Sequence, residues 1–467
     1  MTFIQFGILQ FVRHGRIVVA GRLPEHLRSA TASVVLRTGR RSCPGQLAPG
    51  GGFTIAFHSH KRLLWVAVWA VQPDGDETRV GRRLVVNLHA ARSRTMLDEA
   101  GDMLALRAFT DIPARPCEAA PPTNPDSLSI HWIIPDFQQG AGGHMNIFRI
   151  VRHLQDAGHR NVFWIIGESR HADPADYIDR HFVRLDCPVN HLSADNLDQV
   201  RGDVVVATNC WSAYYVRGIR QVARKCYLVQ DYEPWFFAVG SDYHLARRTY
   251  RFGFQPIVAG RWLWEMMRRE GAGDAPCFSF AYDPAHYHPA TDSRRASGPW
   301  RIAVYARITT DRRMVPLALK ALDLLARRRS DFIVHFFGQY AGEGNLAYPF
   351  VDEGVLDAAA LGRLYRQCDL GVVFSATNHS IVPTEMMACG LPVLELDGEN
   401  NTLIYPPGSI ALAEPDEHAV AREMERLLDS PQARAELRQQ GLAYTADLDW
   451  ETAARVVGQA LGARPAR

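Results

Sequence analysis

The sequence predicts an α/β protein: two Rossmann-like, doubly wound parallel-sheet units facing a cleft, preceded by a β-sandwich-like accessory domain. Three observations lead there. From Ser129 onward, near-continuous apolar strands alternate with helical stretches, the pattern of a parallel sheet covered on both faces. That alternation breaks at the polar stretch ATDSRRASGP (290–299) and then restarts, giving two units of similar size. Ahead of them, residues 16–90 hold β-branched or aromatic runs split by Gly, Pro and Asp turns, with no helical period of useful length. A length of 467 residues is too great for one core and suits this division.

In chain order, MTFIQFGILQFVRHGR lacks the basic start and small-residue cleavage site of a signal peptide and reads as a buried first strand. RIVVAGRL, ASVVLRTG, FTIAFHSH, LLWVAVWAV and RRLVVNLHA follow as strands, placing the accessory domain at 1–111. Its Trp65 and Trp69 suit sugar stacking or core packing, and acceptor binding, dimerisation and tethering of a partner all stay open as its role. Residues 112–126 carry five prolines in fifteen residues, so 112–127 reads as a stiff, extended linker. The first α/β unit spans 128–289. Its strands are SIHWIIP, NVFWIIG, DVVVATN, KCYLVQD, QPIVAG and CFSFAYD. Ile147, Ile150, Val151 and Leu154 recur at helical spacing, and YHLARRTYRF and RWLWEMMRRE also read as helices. The second unit spans 298–467, with strands WRIAVYA, FIVHFFG, DLGVVFS and LPVLEL. Its helices are MVPLALKALDLLARRR, LDAAALGRLYRQC, PTEMMAC, EHAVAREMERLLD and ETAARVVGQALG, the last expected to pack back on the first unit.

Composition narrows the function. A net charge of +2 opposes nucleic-acid binding, which needs a basic surface. Only three lysines occur among 52 basic residues, so arginine clusters carry less weight than usual. The eight cysteines stand alone with no CxxC pair, which excludes zinc knuckles and thioredoxin-like chemistry and fits reduced thiols in a cytoplasmic protein. No apolar run reaches the length of a membrane span.

Ligands of doubly wound sheets bind beyond the carboxyl ends of the strands, so the chemistry is expected on the strand-end loops. DFQQGAGGHMNIF (136–148) follows a strand and opens a helix; Gly142 and Gly143 allow close backbone approach, the helix start favours an anion, and His144 sits at the mouth. The spacing is not that of a dinucleotide-binding loop. In YARITTDRRM (305–314), Arg307, Arg312 and Arg313 follow a strand end, where guanidinium groups match phosphate oxygens without a metal. In FSATNHSIVPTEMMACGLPVLEL (374–396), a loop through Asn378 and Ser380 leads to a helix expected to start at Pro383 and to carry Glu385 in its first turn. Backbone N–H groups from Ser380 to Val382 face a phosphate there, and Glu385 can accept from sugar hydroxyls.

The run TEMMACGLPV resembles the E-A-M-A-C-G-x-P-V signature of GT-B glycosyltransferases of the family-4 type, and AYDPAHYHP (281–289) resembles their interdomain linker. IPDFQQGAGGHMNIFR, YLVQDYEPWFF, Tyr305 with Arg307, LGRLYRQCDLGV and HSIVPTEMMACG together resemble the WsaF-like rhamnosyltransferases of bacterial surface-glycan synthesis, over about residues 128–467. The resemblance implies that Glu385 holds the nucleoside ribose and that Ser380, Ile381 and Val382 meet the diphosphate. It implies that Arg307, with Arg312 or Arg313, neutralises that charge, that Gly354, Val355 and Leu356 border the base, and that Gly142, Gly143 and His144 close the site. The implied donor is dTDP-β-L-rhamnose, with no metal and no cofactor. The implied acceptor is a glycan or lipid-linked glycan, reached in the cytoplasm with peripheral contact to the inner membrane or to other glycan-assembly enzymes. One position departs: where retaining family-4 enzymes carry a second glutamate eight residues before the ribose glutamate, this chain has Thr377. An inverting reaction needs a general base; Asp231 and Glu233 are the candidates, with Asp136 and His144 behind them. A hexosyl or mannosyl transferase using UDP or GDP donors, and a non-catalytic glycan-binding scaffold, are the alternatives.

Overall fold

The structure, a computed structural model, describes residues 10–12, 16–38, 41–48, 52–58, 63–74, 76–86, 108–122, 124–290, 298–338 and 346–463. The chain divides into two compact units, Met1–Ala108 and Phe109–Arg467.

The first unit is antiparallel throughout. Its strands are β1 (Gln10–Val12), β2 (Arg16–Arg22), β3 (Ser33–Thr38), β4 (Arg41–Leu47), β5 (Gly52–His58), β6 (Leu63–Val71) and β7 (Glu77–Val86), hydrogen-bonded in the order β1-β2-β5-β4-β3-β6-β7. They form one continuous sheet rather than two separate ones. Val19 of β2, Leu36 of β3, Ile55 of β5 and Val68 of β6 nevertheless meet in a single core. The sequence hid β4, because Pro44 and Gly45 are poor strand residues. Gly45 is needed there, since a Cβ would collide with Ile55 and Val34. Trp69 is half-buried. Residues 1–9, the end of the expected strand at 87–90 and the Trp65 side chain lie outside the described residues.

The second unit contains two parallel sheets. In the first lobe, β8 (Ser129–Ile134), β9 (Arg160–Ile166), β10 (Val189–Leu192), β11 (Gly202–Ala207), β12 (Val222–Val229), β13 (Gln255–Ala259) and β14 (Cys277–Phe278) are ordered β10-β9-β8-β11-β12-β13-β14. In the second, β15 (Trp300–Tyr305), β16 (Phe332–Phe337), β17 (Phe350–Gly354), β18 (Leu370–Val372), β19 (Val393–Leu396) and β20 (Ala411–Ala413) are ordered β17-β16-β15-β18-β19-β20. Each order reverses beside the lobe's first strand, at β8/β11 and at β15/β18. The loops that carry the sequence candidates leave these strands or their neighbours.

Sequence periodicity missed the helix Pro431–Thr445. Its polar composition shows no apolar stripe; Ser430 caps it and Pro431 starts it. It packs on Ile381–Ala388 through Gly441, against which Met387 lies. The last helix, Trp450–Leu461, sends Trp450, Ala453, Val457 and Leu461 into the first lobe's core. The proline-rich segment is extended but not free. The Arg115 and Glu118 N–H groups donate to the carbonyls of Arg217 (2.9 Å) and Arg220 (2.8 Å), and Lys225 Nζ donates to the Arg115 carbonyl at 2.6 Å. Proline keeps the strap extended, and its remaining amides satisfy carbonyls at the end of helix Cys210–Gly218. Of the polar stretch 290–299, residues 291–297 lie outside the described residues.

Candidate functional site

The second lobe presents the helix Ile381–Ala388 to the first. This helix begins two residues before Pro383, because Ser380 caps it: the Ser380 Oγ accepts from Val382 N at 3.3 Å. Pro383 is the third helical residue, a position whose N–H has no intrahelical partner to lose, so Glu385 lies beyond the first turn, contrary to the expectation. Glu385 is 6% exposed. Burial pushes its carboxyl up to about 7, against the opposing Arg149 guanidinium and a Tyr287 hydroxyl that donates to it.

The loop after β15 carries the arginines. It ends at Met314, whose φ of 43° makes it the sole non-glycine left-handed residue among the described ones, a strained turn at a strand-end loop. Arg307 Nη1 crosses the seam between lobes to the Gly140 carbonyl at 3.4 Å. Arg312 lies over the Phe236 ring at 4.2 Å, with its Nε 3.5 Å from Asp231 Oδ2. Arg313 turns inward and donates to Ser375 Oγ at 2.7 Å. Val355, just past β17, is 53% exposed, and a Cβ at Gly140 would sit 3.7 Å from its Cγ1. Gly354 adopts a φ of 65°, turning the chain so that Val355 and Leu356 follow on this rim.

On the first lobe, Gly142 and Gly143 open the helix Gly142–Asp156, whose N-terminus has no side-chain cap. Gly142 faces open space, and the Gly143 carbonyl accepts from Gln230 Nε2 at 3.0 Å. His144 Nε2 meets the Pro135 carbonyl at 3.1 Å, while the ring packs on Phe137 and Phe148. Burial lowers its pKa to about 4, so the imidazole is neutral at physiological pH. A carbonyl can only accept, so Nε2 carries the proton and Nδ1 is left as the acceptor. The carboxylates are heavily engaged. Asp136 accepts from Ser169 Oγ at 2.9 Å and Arg170 Nε at 2.6 Å; burial alone would raise its pKa, but these donors hold it below the usual range. Asp231 accepts from the N–H groups of Tyr232 (2.8 Å) and Asn378 (2.9 Å) and from Thr377 Oγ1 (3.0 Å). Glu233 accepts from Cys210 N and from Tyr227 Oη, and burial pushes it up to about 7.

The structure therefore brings the loops at 136–144, 229–236, 305–314, 354–356 and 375–385 to one seam. Sequence reasoning missed Arg149, Gln230 and Glu395. Arg149 lies on the same helix as His144, with its guanidinium over Trp450 at 5.3 Å and a buried Nη1 that makes no hydrogen bond. Two helical turns separate it from the glycine loop, and nothing local marks it. Glu395 is fully buried, pushed up to about 8, and accepts from Asn401 Nδ2 at 3.2 Å. It hides inside the apolar strand LPVLEL, where a lone carboxylate was itself the signal. Trp235 (48% exposed) and Phe236 rim the seam; Trp235 is braced by Tyr232 at 5.3 Å and Trp262 at 5.5 Å.

Comparison with known proteins agrees with this architecture. Residues 300–425 match the family model of the C-terminal domain of WsaF. The chain is 30% identical over 351 residues to the O-antigen biosynthesis protein RfbC of Myxococcus xanthus, covering 72% of this chain and 27% of that protein. It thus spans about a quarter of the length of the curated relative it matches. Among solved structures, HepE of Anabaena in complex with UDP and glucose superposes with a TM-score of 0.56 at 14% identity, covering 72% of this chain and 100% of that one. The sucrose-phosphate synthase of Thermosynechococcus elongatus superposes with a TM-score of 0.54 at 16% identity, covering 71% and 97%. Likeness at that identity speaks for the fold, which is GT-B. Two parallel-sheet lobes, with a capped helix and an arginine loop at one seam, give the chain the GT-B fold, and its second lobe is similar to the C-terminal domain of WsaF.

Proposed function

We propose that the protein transfers a sugar, L-rhamnose from dTDP-β-L-rhamnose, to a bacterial surface glycan or its lipid-linked precursor. One observation carries the reading: Arg307 and the Ser380-capped helix N-terminus stand on loops of the same lobe, with the uncapped helix at Gly142 opposite. Cations and oriented N–H groups fixed in place stabilise a leaving diphosphate as its charge develops. Arg307, Arg312 and the N–H groups from Ser380 to Val382 take the diphosphate in this reading, with Arg313 bracing the loop behind them. Glu385 takes the ribose, and Gly354 to Leu356 border the base. The exposed faces of Trp235 and Phe236 suit the apolar face of an acceptor sugar. The acceptor hydroxyl must lose a proton; we assign its removal to His144, neutral and with Nδ1 unprotonated. The arginines carry the charge that a metal would otherwise neutralise. The closed seam keeps water from the activated donor. The similarity to RfbC, an O-antigen biosynthesis protein, supports the glycan acceptor, and the fold shared with UDP-bound HepE supports a nucleotide-sugar donor. In this reading the protein meets a lipid-linked acceptor at the cytoplasmic face of the inner membrane. No helix among the described residues is long and apolar enough to cross a membrane.

The test is a donor panel of dTDP-rhamnose, UDP-glucose and GDP-mannose with released nucleotide measured, beside calorimetric titration with dTDP, UDP and GDP. Turnover with dTDP-rhamnose is expected. Turnover with another donor alone overturns the rhamnose assignment, and binding of none of the three nucleotides overturns transfer.

A further inference from the structure

We infer that Asp231 is a positioning residue: a carboxylate of the first lobe that fixes the second lobe's loop 376–380 and Arg312, so that the grip on the diphosphate is assembled only when the lobes meet. This rests on the transferase reading above. Asp231 lies two residues past the end of β12, on the first-lobe wall. Its Oδ1 accepts from its neighbour Tyr232 N (2.8 Å) and from Asn378 N (2.9 Å); its Oδ2 accepts from Thr377 Oγ1 (3.0 Å) and lies 3.5 Å from Arg312 Nε. Three of these four partners belong to the opposite lobe.

The partners reinforce one another. Asn378 is buried and sends its Nδ2 to the carbonyls of Gln230 (2.9 Å) and Ala259 (3.2 Å), so a single amide bridges two strand ends of the first lobe. Ala376 N donates to the Arg312 carbonyl at 3.0 Å, which ties the arginine loop to the loop that Asp231 holds. Arg312 Nε is buried and makes no hydrogen bond, so its compensation is the carboxylate beside it and the Phe236 ring beneath it. The Arg312 side chain is 33% exposed, so losing that carboxylate frees the guanidinium from its place over Phe236 rather than stranding a buried charge. Two residues further on, Ser380 caps the helix whose N–H groups face the diphosphate, so the loop's register sets the direction of that helix start.

A carboxylate has about four acceptor sites; three take hydrogen bonds from Tyr232, Asn378 and Thr377, and the Arg312 guanidinium lies 3.5 Å from Oδ2. Asp231 is thereby committed chiefly to the opposite lobe's loop. Thr377 gains a purpose too: a hydroxyl reaches the first-lobe carboxylate, where a glutamate at that position would bring a second negative charge against it.

Asp231→Asn and Thr377→Val separate positioning from base catalysis. Binding of whichever diphosphate the wild type takes, dTDP, UDP or GDP, is measured beside the matching nucleoside, with thermal melting to confirm folding. Both variants are expected to bind the diphosphate about tenfold more weakly, by loss of one charge-assisted contact. Nucleoside affinity is expected to be unchanged, and the double variant no worse than Asp231→Asn, because the two act through one contact. Asp231→Asn with wild-type diphosphate affinity and abolished turnover overturns the inference in favour of a base, and a silent Thr377→Val overturns it as well. If the wild type binds no nucleotide, the transferase reading fails separately. Small-angle scattering then decides: a more open Asp231→Asn sustains the interlobe role, and an unchanged profile removes it.

Discussion

The two lobes share one architecture and use their strand-end charges in opposite ways. In the first lobe the charges at the seam are carboxylates already committed to the protein: Asp136 to Ser169 and Arg170, Asp231 to the opposite loop, Glu233 to the start of helix Cys210–Gly218. In the second lobe, Arg307 makes one long side-chain hydrogen bond of 3.4 Å among the described residues, and the Ser380-capped helix starts two residues past Asn378, which meets the first lobe. An engaged charge fixes geometry, while a lightly engaged one can answer a ligand. Four measurements sharpen or break that contrast.

Arg307→Ala removes the least engaged cation and should cost about 10²- to 10³-fold in turnover, read as nucleotide release with little change in thermal stability. Retained turnover would break the contrast at its strongest point. Glu385→Gln should weaken nucleotide binding about tenfold or more by losing a charge-assisted acceptor, measured by calorimetry. Glu233→Gln should act the other way: about 1–3 kcal/mol of folding stability lost, read in denaturant, because a buried acceptor of backbone N–H is weakened. A variant that folds like wild type yet loses turnover would move Glu233 to the reacting group. Trp235→Ala should raise the acceptor KM about three- to tenfold without altering donor hydrolysis.

Stability should depend on pH through the buried glutamates of both lobes. Burial holds Glu233, Glu385 and Glu395 above their ordinary value of 4.5. Each folded carboxyl binds its proton more tightly than the unfolded one. Its contribution is therefore complete below pH 4.5 and is lost as pH rises toward about 8 for Glu395. Glu395→Gln keeps the Asn401 contact without the charge. Its stability relative to wild type should rise between about pH 5 and pH 8, followed by melting at each pH. A difference that does not vary with pH would show that the neighbouring Arg313 already stabilises the ionised form.

Most of the fold was legible because its signals are local. Near-continuous apolar strands such as SIHWIIP and FIVHFFG can be buried on both faces only in a covered parallel sheet. Elements without a local pattern were not legible: β4 is interrupted by Pro44 and Gly45, β20 has three residues, and Pro431–Thr445 is a polar helix whose neighbours define its buried side. The same divide runs through the site. Glycines, arginines and the TEMMACG run stand out by spacing, whereas Arg149 matters through Trp450 and Glu385, distant in sequence.

What the sequence determined by itself was the inventory: which residues end up at carboxyl strand ends, since period and punctuation fix where strands stop and helices start. What tertiary structure decided was how each charge is used. Asp231 looked like an available base in YLVQDYEPWFF, and only the meeting of two lobes gave it Thr377, Asn378 and Arg312 as partners. A side chain's protonation and reach depend on the donors and the solvent around it, and those arrive from parts of the chain about 80 to 150 residues away, beyond any local pattern.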